Sequence, residues 1–127
     1  MLKTKRMLRN VPRVGEEFVL RSRGIRGRFK LIQLPRVRHT LSVERRLQKK
    51  KGQGHLAPVG WGDVFKARYP LPDEGCPIAF GQCMTGTPGN MGLVNVLFKS
   101  GNRWQRGYAN PRESSLDGWR WLVMCEE

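Results

Sequence analysis

Arginine supplies most of the chemistry open to this chain. Arg21, Arg23, Arg26 and Arg28 crowd into one short stretch, with Lys30, Arg36 and Arg38 close behind and Arg45, Arg46, Lys49, Lys50 and Lys51 after them. A guanidinium is a planar fork of N–H donors that matches a phosphate and can also lie flat on a base. Such a series suits tracking a phosphate backbone. Lys3, Lys5, Arg6 and Arg9 at the start read as an arm that adds affinity without specificity.

The charge is segregated. The chain has 24 Lys and Arg against 10 Asp and Glu, a net of +14. Residues 1–51 hold 17 basic and 3 acidic residues, whereas residues 52–127 hold 7 of each. Self-repulsion in the first part opposes compaction unless a polyanion relieves it, and nucleic acid is the obvious polyanion.

The aromatic residues have two readings. Trp104, Trp119 and Trp121 interleave with Arg103, Arg106 and Arg120, and Trp61 stands between Gly60 and Gly62. Core and cross-strand packing is the expected use of the three later tryptophans. A stacking platform for single-stranded bases is the alternative. Trp61 could close a sheet edge or anchor a partner.

Catalysis has little support. Asp63, Asp73 and Glu74 could pair around Mg2+ in a small metal-dependent nuclease. A cysteine nucleophile (Cys76, Cys83 or Cys125) could act with His55 and Asp63, but no local signature accompanies it. His39 and His55 are the only histidines, and with the three cysteines they form no compact ligand pattern, so no metal or cofactor is expected. Residues 85–92, TGTPGNMG, lack the Gly-Lys-Ser/Thr ending of a phosphate loop and read as an ordinary loop.

These residues need elements to hold them. Residues 1–15 read as a basic arm and 16–127 as a single β-rich domain. Phe18 and Leu20, then Phe29 to Leu34, predict two strands of a hairpin with Gly24 and Gly27 supplying its positive-φ positions. Its tip carries the arginines, and Pro35 ends the second strand. Ser42, Glu44 and the terminal lysines predict a helix over 42–51, with Val43 and Leu47 on its apolar side. Residues 52–61 read as a glycine-rich linker and 63–69 as a strand. Ile78 to Phe80 reads as a short edge strand or a buried segment between loops. At the C-terminus, Leu93–Phe98, Arg103–Tyr108 and Trp119–Met124 predict a three-stranded meander.

The expected fold is mainly β: a small twisted antiparallel sheet or a partly closed barrel with one or two short helices, and mixed α+β as the runner-up. No apolar run is long enough for a membrane span, and the start lacks the apolar run of a secretory signal. Cysteine usage fits a reducing, cytoplasmic setting. The expected function is non-catalytic binding of nucleic acid, RNA slightly before DNA. The competing readings are a regulatory module that docks a protein partner through the C-terminal sheet, and the nuclease.

Overall fold

The computed structural model describes residues 10–34, 46–47, 54–83, 93–109 and 118–125. The basic hairpin forms where its punctuation places it. Strands β1 (Glu17–Ser22) and β2 (Ile25–Gln33) pair antiparallel, from Glu17 opposite Lys30 to Ser22 opposite Ile25. The two-residue turn has Arg23 at φ 50° and Gly24 at φ 80°. Left-handed residues at both central positions match the twist of the flanking strands. Gly27, expected in the turn, lies within β2 instead. A Cβ there would come 2.7 Å from the Phe29 ring.

Five more strands follow: β3 (His55–Leu56), β4 (Ile78–Cys83), β5 (Leu93–Ser100), β6 (Arg103–Ala109) and β7 (Arg120–Met124). All seven join one sheet in the order β1-β2-β7-β4-β5-β6, with β3 also paired to β7. The sheet is therefore open, and the partly closed barrel is overturned. β1 and β6 end the order and do not pair with each other. Charge rather than closure protects these edges: Arg21 lies on β1 and Arg103 on β6.

The C-terminal meander is corrected too. β5 and β6 form the expected hairpin, but β7 crosses back to lie between β2 and β4, antiparallel to the first and parallel to the second. The consecutive meander is β4-β5-β6. Arg120, Trp121, Leu122 and Val123 are all buried, the signature of a strand covered on both faces, which belongs inside a sheet. Ile78, Ala79 and Phe80 are each fully buried for the same reason, so β4 is an inner strand and not an edge.

Residues 63–68 are helical, not a strand. Helix α1 spans Gly60–Arg68. Trp61, Phe65 and Tyr69, each four residues apart, turn toward the sheet, and the Tyr69 N–H donates to the Phe65 carbonyl at 2.9 Å. The period-two pattern was indecisive because apolar residues fell on both of its faces. Gly62 lets α1 approach β4, since a Cβ at this position would lie 2.1 Å from the Phe80 ring.

The core has two layers, one on each face of the sheet. Beneath α1, Leu20, Phe29, Leu31, Phe80 and Trp104 pack with Phe65 and Tyr69. On the other face, Leu56, Ala79, Val94, Val96, Trp121 and Val123 pack with Leu47. Arg46 and Leu47 are helical, in line with the expected helix over 42–51, whose other residues lie outside the described ones. The end of the expected arm is tied to the sheet: Val14 bridges to Leu31, and the Gly15 N–H donates to the Leu31 carbonyl at 2.7 Å.

Candidate nucleic-acid interface

Alternation along the hairpin sorts its residues. Phe18, Leu20 and Phe29 point toward α1, so Glu17, Val19 and Arg21 of β1 share the opposite face with Arg26, Arg28 and Lys30 of β2. The register sets Arg21 directly against Arg26. Like charges in that position are destabilising. Both side chains are exposed, as is Arg23 on the turn. None of these three has a carboxylate partner among the described residues. Arg28 reaches Glu17 at 3.8 Å, with both groups exposed, and such a pair contributes little. Lys30 stands at the base of this face, close enough to act electrostatically on Cys125.

Three cations of the second part of the chain are held by carboxylates. Arg106 donates to both Asp63 oxygens, at 3.1 and 3.3 Å, and to the Asn95 side-chain oxygen at 3.2 Å, while lying over the Phe80 ring. Arg120 holds Asp73 through two hydrogen bonds of 2.7 and 2.8 Å and also donates to the Cys76 carbonyl. Lys99 binds Glu74. Burial works to raise the Asp73 carboxyl, but the hydrogen bonds and charge of Arg120 outweigh it and hold the group below its ordinary value. The three carboxylates read as a Mg2+ set are thus each engaged by a different cation. No group of three His, Cys, Asp or Glu is gathered for a metal among the described residues. Asp63, read as one member of a cysteine triad, is the residue that Arg106 holds.

The other expected site residues disperse. Arg46 is half-buried beside the buried Leu47. Arg36, Arg38, Arg45, Lys49, Lys50 and Lys51 lie outside the described residues. Trp121 is fully buried, and Trp104 is buried with its indole N–H donated to the Tyr69 carbonyl at 2.7 Å, so neither ring has a face open to a base. Trp119 is half-buried against the Leu47 layer. Trp61 packs on Phe29 with ring centroids 4.9 Å apart and stays half-exposed.

The structure adds residues that the sequence did not single out. A groove runs between α1 and the outer edge of β1, lined by Val64, Ala67 and Arg68 on the helix and by the strand edge along Val19, Leu20 and Arg21. It continues past Val64 to the hairpin turn, between Ile25 and Trp61. Reading 63–69 as a strand concealed it, because only a helix brings Val64, Ala67 and Arg68 to one side. Comparison with protein-family models, curated proteins and solved structures finds no match to this chain. No helix among the described residues is long and apolar enough to cross a membrane.

Proposed function

We propose that this chain binds nucleic acid, RNA in preference to DNA, by laying phosphates against the cationic face of the β1–β2 hairpin. The observation that carries the reading is the exposed Arg21–Arg26 opposition, which no carboxylate among the described residues relieves. Elsewhere Lys99, Arg106 and Arg120 each have a carboxylate of their own. A surface that keeps like charges opposed is stabilised when an anion lies across them. RNA is favoured because a basic segment on a small β scaffold suits recognition of a folded backbone by shape.

Fluorescence anisotropy with a structured RNA and a DNA duplex tests this. Five cations, Arg21, Arg23, Arg26, Arg28 and Lys30, sit on the hairpin face and turn. If about four of them neutralise phosphates, log K falls against log salt with a slope near −3 to −4. The double reversal R21E/R26E then lowers affinity by about tenfold or more and flattens the slope by about 2. Affinity that ignores both salt and the reversal refutes the proposal.

A further inference from the structure

The groove beside the hairpin has two compartments that share Val64 as a wall. The outer spans about 580 Å3 and the inner about 530 Å3; both are clefts open to solvent, with volumes in the range of small-ligand sites. Val64, Ala67 and Arg68 line the outer one from the helix, and the edge of β1 along Val19, Leu20 and Arg21 forms its other wall. The inner one has Ile25, Pro58, Trp61 and Val64 as apolar walls, Ser22 and Asp63 as polar groups and Arg23 as its cation. Ile25 is 60% exposed, an apolar side chain on the hairpin that carries Arg21, Arg23 and Arg26. A third hollow of about 330 Å3 lies in the turn itself, between Arg21 and Arg26.

Resting on the reading above, we infer that this groove takes the bases of an unpaired nucleotide strand, while Arg21, Arg23 and Arg68 hold its phosphates. Mostly apolar clefts with cations beside them suit the bases of a single strand, and base-paired rings cannot leave their stack to enter them. Arg21 and Arg23 belong both to the groove and to the cationic end of the hairpin, so one strand can pass from the hairpin face into the groove. Asp63 separates this occupant from an acidic peptide. Its carboxylate, held by Arg106, lines the inner compartment. It repels an incoming carboxylate and accepts N–H groups from a neutral base.

Two variants test the groove without changing any charge. Gly60 lines the inner compartment and a Cβ there would meet nothing within 4 Å, so Gly60→Leu adds bulk at the compartment from a position whose Cβ touches no core atom. Ile25→Ala removes an exposed wall. The full chain is titrated with one mixed-sequence oligonucleotide as single-stranded RNA, as single-stranded DNA and as a duplex, and with polyglutamate. The expected result is tighter binding of the single strands than of the duplex. Each variant lowers the single-strand affinity by about tenfold, leaving duplex binding and the salt slope unchanged. Equal binding of single strand and duplex, indifferent to both variants yet weakened by R21E/R26E, overturns the groove and leaves the phosphate contact standing. Absence of all nucleic-acid binding at low salt removes both readings. Polyglutamate binding that both variants weaken overturns the inference in favour of an acidic peptide.

Discussion

Replacing Gly62 by alanine sets two opposed effects against each other, and the structure decides which wins. In an exposed helix the change favours folding by about 1 kcal/mol, because glycine loses more backbone entropy than alanine. At Gly62 the new methyl would stand 2.1 Å from Cε2 and Cζ of Phe80. Ordinary contact begins near 3.4 Å, so more than 1 Å of relief is needed. Phe80 is fully buried on an inner strand and cannot yield that distance by turning its ring. α1 must lift, which loosens Phe65, also fully buried, from Phe18 and Trp104 on the sheet. Overpacking of this kind costs about 1–3 kcal/mol, often at the upper end when a rigid ring is the obstacle. The net expectation is a loss of about 1–2 kcal/mol, which lowers Tm by roughly 4–8 °C in a chain of this length. Gly60→Ala in the same helix is the control: its Cβ meets open space, so stability holds or rises slightly. Urea unfolding followed by far-UV circular dichroism measures both. A Gly62→Ala protein as stable as Gly60→Ala refutes the close approach of α1 to β4.

Two further outcomes follow from the titratable groups. The folded Asp73 carboxyl lies below its ordinary value of 3.8, so its contribution to stability is complete above that pH and is lost as pH falls through the lower folded value. Asp73→Asn therefore removes part of the acid-side slope of urea midpoint against pH, and identical acid limbs in the two proteins contradict the Arg120 pairing. Burial, opposed in part by Lys30, pushes the Cys125 thiol up, whereas Cys76 is exposed. Iodoacetamide at mildly alkaline pH is expected to label Cys76 well before Cys125, as read by peptide mass spectrometry. Equal rates at the two positions rule out this burial of Cys125.

The hairpin was legible because its signals are local. Leu20, Phe29 and Leu31 alternate with charged residues, and glycine marks the turn. The β5–β6 pair was legible for the same reason, with Gly101 at φ 62° in its turn. Helix α1 was not, since Val64, Phe65, Ala67 and Tyr69 satisfy two periods at once. The arginine cluster could be named from the sequence, but the contrast between Arg21 and Arg120 could not. One guanidinium is exposed opposite another arginine, and the other is 6% exposed and bound to Asp73.

The sequence by itself determined the mainly β character, the charged first part and the arginine-bearing hairpin. Side-chain alternation, turn residues and charge are all properties of neighbours along the chain. Only the tertiary structure decided that the sheet stays open, that β7 lies at its centre and that α1 stands beside β1. Those arrangements depend on which apolar faces bury one another across long separations, as Trp121 does with Leu47 and Phe80 with Gly62. No local pattern encodes that choice.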